Sequence, residues 1–217
     1  MASRLGTQLA MRKLWSDHIL WTHLYIVEAV ERSPVSERLA AVARDLVGQI
    51  GTSIGGAVSL ASAGDAAAIR LLKNQEDIGN AIVPFYGADA GMKLTNLLRQ
   101  HIMIAVELVA AAKKRDDAKF EENDRKWDEN ARQIAAFLGG ANPHWPERDV
   151  YDLLEQHLRL TKTSTTARLN KDWAGDVKAL DDLMTEAMVI ADTLADGLFL
   201  QFPEKFSDTE QETEARA

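Results

Sequence analysis

The chain has 217 residues, of which 46% are hydrophobic, and it carries a formal net charge of −8 without a single cysteine. This length and apolar content fit one domain with a sizeable core. An acidic balance argues against a nucleic-acid partner, which normally meets a basic face. The lack of cysteine excludes disulfides, thiolate metal ligands and cysteine nucleophiles. No N-terminal signal-type apolar region and no apolar run of membrane-spanning length occurs, so we expect a cytoplasmic protein without a membrane partner.

Apolar residues recur three and four positions apart along nearly the whole chain, and this period predicts an all-α fold. The predicted helices are 8–32, 35–59, 63–83, 89–115, 117–138, 147–168 and 170–201. Short connections favour antiparallel neighbours, which predicts an up-and-down bundle of about six or seven helices. We expect one domain at 1–206, followed by a disordered acidic tail at 207–217.

Three of the predicted helices carry a histidine in the same register. The first reads LWSDHILWT, the fourth reads LLRQHIMIA and the sixth reads LLEQHLRLT, each with a leucine four residues before the histidine. In each helix the histidine lies in the middle of the apolar stripe. His18, His101 and His157 are therefore predicted to be buried, where an imidazole needs a hydrogen-bond partner.

Two of the intervening helices also carry a polar residue on an apolar face. The fifth helix has Trp127 followed three residues later by Asn130, and the seventh has Trp173 followed by Asp176. An aliphatic residue follows four positions after each of these polar residues. The pattern indicates loose internal repeats, in which a helix with a histidine precedes a helix with a carboxylate or an amide.

The third helix offers Glu76, Asp77 and Asn80, and register alone does not choose among them. Histidine and carboxylate side chains are the ligands that iron, manganese and zinc use when no thiolate is available, and bundle cores hold such sites. The first hypothesis is a buried metal site. The sequence does not decide whether a protein with such a site is an enzyme. The candidate residues of this site are His18, His101, His157, Asp77, Asn130 and Asp176, with Glu76 in reserve.

Two other hypotheses fit the same residues. The first is a non-enzymatic structural or interaction bundle, in which each histidine is paired separately and fixes the helix register. The second is a binder of haem or another apolar cofactor, with a histidine as axial ligand and tryptophans as walls. A metal site requires the three histidines to converge, whereas haem requires a flat apolar slot beside one of them. The sequence is compatible with a small-molecule ligand and with a homo-oligomer.

The chain resembles a family of small bacterial all-helical proteins with no established activity. The resemblance covers residues 12 to 206 and is carried by LLKNQEDIGNAIVPFYGADAGMKLTNLLRQHIMIAVELV, WDENARQIAAFLGGANPHWP, LLEQHLRLT and ADTLADGLFLQFPEKF. More loosely, the architecture is similar to DinB-like and hemerythrin-like bundles. That similarity implies a divalent metal held by histidines from several helices, although Glu-x-x-His and His-x-x-x-His pairs are absent from this chain.

Overall fold

The computed structural model of the protein describes residues 2–31 and 63–207, and it confirms the all-α fold. The helices are α1 (Arg4–Glu31), α2 (Ala63–Tyr86), α3 (Ala88–Lys114), α4 (Asp117–Ala141), α5 (Glu147–Leu169) and α6 (Trp173–Gln201). The predicted helix 35–59 and residues 208–217 of the predicted tail lie outside the described residues. Within the described ranges, no helix has both the length and the apolar character needed to cross a membrane.

The two ends of the described chain are joined by a short parallel pairing. The strand β1 (Ala2–Ser3) pairs with the strand β2 (Phe206–Ser207), which follows α6 after a 3-10 turn at Pro203–Lys205. This contact holds the start of α1 beside the end of α6. The first and last helices are therefore neighbours.

The six helices of the described ranges form a closed ring. Each helix packs against the next one in this series, and α6 packs against α1. The three helices that carry the histidines, α1, α3 and α5, also contact one another across the bundle. The helices α1, α3 and α5 therefore meet at the centre. Each of the other three, α2, α4 and α6, packs against two of these central helices. This arrangement brings the three histidine stripes together.

The helix ends follow from local sequence signals. Arg115 adopts a left-handed conformation, with φ of 56°, directly after α3. Asp116 then caps α4 by accepting a hydrogen bond from the backbone N–H of Lys119 at 3.0 Å. Asp172 caps α6 in the same way through the N–H of Gly175 at 2.9 Å, which places the start of α6 three residues after the predicted one. These aspartates satisfy backbone donors that a helix start leaves unpaired.

Two glycines let α2 and α3 approach closely. A Cβ atom built on Gly91 would lie 2.5 Å from Cγ2 of Val83 and 2.8 Å from the carbonyl oxygen of Gly79. A Cβ atom on Gly79 would overlap the hydroxyl of Thr95. The absence of side chains at this crossing sets the distance between the two helices.

We therefore predict that Gly91→Ala destabilises the protein by about 1–3 kcal/mol, because the added methyl group must displace Val83 or the backbone of α2. The matched control is Gly140→Ala in α4, where an added Cβ meets nothing within 4 Å. Alanine should leave stability unchanged there, or raise it by up to about 1 kcal/mol. Urea unfolding followed by circular dichroism measures both changes. Equal stability of the two variants would contradict the close crossing.

Candidate functional site: a buried histidine cluster

His18, His101 and His157 form a cluster at the centre of the bundle, and none of the three is more than 3% exposed. The ring centroids of His18 and His157 are 5.4 Å apart, and those of His101 and His157 are 6.0 Å apart. The three rings come from the three helices that meet across the bundle. The sequence prediction that each of these histidines is buried agrees with this placement.

Two of the histidines donate a hydrogen bond to the helix that follows them. His101 Nδ1 lies 2.9 Å from Asn130 Oδ1, and His157 Nδ1 lies 3.3 Å from Glu186 Oε2. The side-chain nitrogen of Asn130 donates to the carbonyl of Leu97 at 3.1 Å, so its oxygen faces the imidazole. Both acceptors require a proton on Nδ1, which leaves the lone pair on Nε2 of each ring.

The third histidine has the opposite hydrogen-bond polarity. Nε2 of Gln75 lies 3.2 Å from His18 Nδ1, 2.8 Å from the carbonyl of Leu71 and 3.2 Å from Asn74 Oδ1. Because these oxygens accept, the amide nitrogen is the atom that faces the ring. Its two N–H groups are shared among the two oxygens and His18 Nδ1, so His18 Nδ1 is an acceptor. A neutral His18 then carries its proton on Nε2. The cluster thus combines two Nε2 lone pairs with one Nε2–H.

Tryptophans enclose the cluster on two sides. Trp15 meets His18 edge-on with centroids 5.8 Å apart, and Trp127 lies 5.0 Å from the ring of His101. Trp15 lines one cavity of about 20 Å³ and Trp127 lines another of about 20 Å³. A cavity of this size holds about one water-sized molecule. Because none of the three imidazoles is more than 3% exposed, the cluster is closed off from solvent.

Burial keeps two of the rings neutral. Removal from water, followed by the repulsion from His157, lowers the pKa of His101 to about 3. Burial also lowers the pKa of His18 well below its usual range, with the nearby His157 and His101 acting in the same direction. A charged imidazole is poorly solvated in an apolar interior. Both rings therefore present unprotonated nitrogen near neutral pH.

The structure places the candidates on α2 away from the cluster. Asp77 is partly exposed and forms ion pairs with Arg70 at 3.4 Å and Lys73 at 3.3 Å. Glu76 pairs with Lys73 at 2.8 Å and with Arg99. Asn80 is exposed. The residue on α2 that reaches a histidine is instead Gln75, which is adjacent to Glu76 in the sequence but lies on the buried face.

Asp176 is buried, but it belongs to a second polar group at one end of α6. It accepts a hydrogen bond from Ser164 Oγ at 2.8 Å and lies 3.1 Å from Arg168 Nε. His23 Nδ1 is 3.9 Å from the same carboxylate. The serine donates directly to the aspartate, so these side chains do not form the serine–histidine–aspartate relay of hydrolases. Asp176 therefore joins α6 to α5 and α1, and none of its hydrogen bonds or ion pairs within the described ranges involves a histidine of the cluster.

Sequence reasoning missed Gln75 and Glu186 as histidine partners. The tryptophans at 127 and 173 predicted that Asn130 and Asp176 occupy equivalent positions in two repeats. In the structure, the residue of α6 that is equivalent to Asn130 is Glu186, because each accepts from a histidine of the cluster. A usable signal was the spacing, because His101 and Asn130 are separated by 29 residues and so are His157 and Glu186. The spacing from His18 to Gln75 is 57 residues. The longer spacing includes the sequence of the additional predicted helix, which hid the first pair.

Two side-chain oxygens beside the histidines have no hydrogen-bond partner in the described part of the chain. They are Oε1 of Gln75 and Oε1 of Glu186, and both atoms are buried. Among the described residues, no three or more histidine, aspartate or glutamate side chains are positioned, as they stand, to hold a metal ion. The cluster thus has potential ligands and unpaired acceptors, without a preformed coordination shell.

The comparisons with known proteins add no family or fold relationship. No family model, no curated protein and no solved structure matches this chain. The resemblance to small bacterial helical proteins, and the looser one to DinB-like and hemerythrin-like bundles, stay predictions. The function must be inferred from the chemistry of the cluster.

The neutral histidines predict how stability depends on pH in metal-free protein. In the unfolded chain a histidine has a pKa of about 6.5, whereas folded His101 and His18 titrate at lower pH. As pH falls below about 6.5, the unfolded state binds protons that the folded state does not. The free energy of unfolding should fall by up to about 1.4 kcal/mol per pH unit for each of these histidines, with no such contribution above about pH 7.

Urea unfolding followed by tryptophan fluorescence, in the presence of a chelator, measures this slope between about pH 7.5 and about pH 5. His101→Asn should remove the part of the slope that belongs to one histidine. An unfolding free energy that stays constant over this range would show that the rings are not held neutral in the folded protein.

Proposed function

We propose that this protein binds one divalent transition-metal ion, zinc, iron or manganese, through the histidine cluster. The ligands are Nε2 atoms of His18, His101 and His157. Side chains of the following helices hold Nδ1 of each ring: Gln75, Asn130 and Glu186. One observation carries the proposal: three buried imidazoles from alternate helices converge while the Nδ1 of each is already engaged.

The spacing of the rings supports this proposal. Imidazoles that bind one tetrahedral zinc ion, with Zn–N distances of about 2.0–2.1 Å, have centroids about 5 Å apart. The measured separations, from His157 to His18 and to His101, are 5.4 and 6.0 Å. The rings must therefore close by about 0.5–1 Å per pair to reach a common ion. Small side-chain rotations supply such a shift, and a coordination shell that forms on binding accounts for the lack of a preformed one.

The charges of the site also favour a cation. Metal ligands must be deprotonated, and the lowered pKa values of His101 and His18 meet this requirement near neutral pH. The carboxylate of Glu186 is buried with one oxygen unpaired, which is costly unless a positive charge lies nearby. A carboxylate behind a ligating histidine also fixes the ring orientation and raises its basicity.

Gln75 can support His18 in both the metal-free and the metal-bound protein. Coordination through Nε2 of His18 requires the ring proton to move to Nδ1, and Nδ1 then needs an acceptor. Rotation of the Gln75 amide would present Oε1, the buried oxygen that has no partner in the described part of the chain. The same rotation breaks the hydrogen bonds from Gln75 Nε2 to the carbonyl of Leu71 and to Asn74 Oδ1, so it adds a cost to metal binding. Metal binding is therefore coupled to a change of tautomer at one histidine, whereas His101 and His157 already have the required tautomer.

The two rival hypotheses fit the geometry less well. Separate histidine pairs that only fix helix register do not need their rings in mutual contact. A haem group needs a flat slot far larger than the cavities of about 20 Å³ beside Trp15 and Trp127. None of the three imidazoles is more than 3% exposed. We therefore infer a metal ion that is closed off from organic substrates.

Elemental analysis by plasma mass spectrometry tests the proposal. After reconstitution with zinc and removal of excess ion, the wild type should hold about one ion per chain. His101→Ala should hold none, because it removes one of three ligands. Asp77→Asn is the matched control, since that carboxylate lies in surface ion pairs with Arg70 and Lys73. Wild type without metal, or equal loss in the Asp77 variant, would reject the site.

The residues behind the ligands give a second prediction. Glu186→Gln and Asn130→Ala should each weaken zinc affinity by about 10–100-fold, because they remove the group that orients a ligating ring. Glu76→Gln provides the control, since Glu76 pairs with Lys73 and Arg99 instead. Competition titration against a zinc chelator measures all three affinities. Unchanged affinity in Glu186→Gln would show that its carboxylate plays no part in binding.

A further inference from the structure

Exposed apolar side chains are concentrated on two neighbouring helices. In residues 2–31 and 63–207, eight of the nine large exposed apolar side chains belong to α1 or α6. Those on α1 are Leu5, Leu9, Leu20 and Leu24, and those on α6 are Trp173, Val177, Val189 and Leu200. The ninth is Met92 on α3. Exposed apolar side chains that share one face of a helix mark an interaction site, whereas isolated ones do not.

The outer face of α1 has a symmetric sequence. Its positions are Leu5, Leu9, Lys13, Ser16, Leu20 and Leu24. The steps between them are 4, 4, 3, 4 and 4 residues, so these side chains share one side of the helix. The order of leucine, leucine, polar, polar, leucine, leucine is the same in both directions. We call this set the leucine stripe.

A symmetric stripe is complementary to itself. In two antiparallel copies of α1, Leu5 of one copy lies opposite Leu24 of the other, and Leu9 lies opposite Leu20. Each contact occurs twice, once on either side of a twofold axis. This reciprocity is what an interface between two identical subunits requires. A different partner would impose no such symmetry on the sequence.

The charges near the axis are compatible with this pairing. Lys13 Nζ lies 2.9 Å from Asp17 within one helix. In the antiparallel arrangement Lys13 of one copy also comes beside Ser16 and Asp17 of the other. The centre of the interface therefore brings together unlike charges and a hydroxyl, and leucines alone occupy its outer parts.

We propose that the protein forms a twofold-symmetric homodimer in which the leucine stripe of α1 packs antiparallel against that of a second copy. The helix α6 flanks α1 and is joined to it by the ion pair of Arg12 and Asp192 at 2.7 Å. This proposal does not depend on metal binding, since the leucine stripe is exposed and the histidines face the core.

The register of the stripe permits a complementation test on full-length protein. Leu9→Glu and Leu20→Lys should each convert the dimer to a monomer in sedimentation equilibrium, because a charge is buried opposite a leucine. A mixture of the two variants should form a heterodimer, since the carboxylate introduced in one chain then faces the ammonium group introduced in the other while the remaining leucines still meet. Met92→Glu, at another exposed apolar position, should stay dimeric.

The chain has no cysteine, so a single introduced thiol gives an independent readout. Ser16→Cys lies near the axis and should be cross-linked between copies by a short bismaleimide, whereas Glu129→Cys on the outer face of α4 should not. Wild type that sediments as a monomer at every concentration overturns the proposal. Two further results would also overturn it. One is a mixture that stays monomeric although both variants are folded by circular dichroism. The other is a loss of monomer stability when a charge is placed on the stripe, which would mean that the stripe is buried within the monomer.

Discussion

The architecture depends on the burial of three imidazoles that each need a hydrogen-bond partner. A buried polar group left without a partner costs about 1–3 kcal/mol, so each histidine constrains the helix that follows it. The constraint is met three times, by Gln75, Asn130 and Glu186. Each pair fixes the rotation and the height of one helix against the previous one. Helices that were only amphipathic could slide or rotate with little penalty.

The same constraint explains why successive helices of the closed ring have alternating roles. The histidine-bearing helices α1, α3 and α5 meet across the centre, and α2, α4 and α6 each supply a side chain that supports one imidazole. Because Nδ1 is used for this support, Nε2 remains for chemistry. Structural support and ligand binding are therefore divided between the two nitrogens of each ring. The metal proposal rests on this division of roles.

Much of the fold could be predicted because apolar residues repeat at the period of an α-helix. The burial of His18, His101 and His157 followed from the same pattern, since each lies in the middle of an apolar stripe. The closed ring of helices did not follow, because periodicity gives the buried face of a helix without its neighbours. The described helices agree with the predicted ones within a few residues at each end.

The partners of the histidines were harder to predict for two physical reasons. On α2, Gln75 and Glu76 are adjacent, and a rotation of one residue decides which faces the core. On α6, both Asp176 and Glu186 are buried, so burial alone does not assign either one to a histidine. Trp173 also misled the alignment, because it is exposed and lies over Arg168 rather than beside an imidazole. Only the contacts between helices separate these cases.

The division of roles between the two ring nitrogens is best tested by long-range ¹⁵N–¹H NMR of the histidine side chains. This experiment reports which nitrogen carries the proton. In metal-free protein near neutral pH, His101 and His157 should carry it on Nδ1, and His18 should carry it on Nε2. Added zinc should shift the Nε2 resonances of all three rings and move the proton of His18 to Nδ1. A proton on Nε2 of His101, or Nε2 resonances that zinc leaves unchanged, would contradict the account.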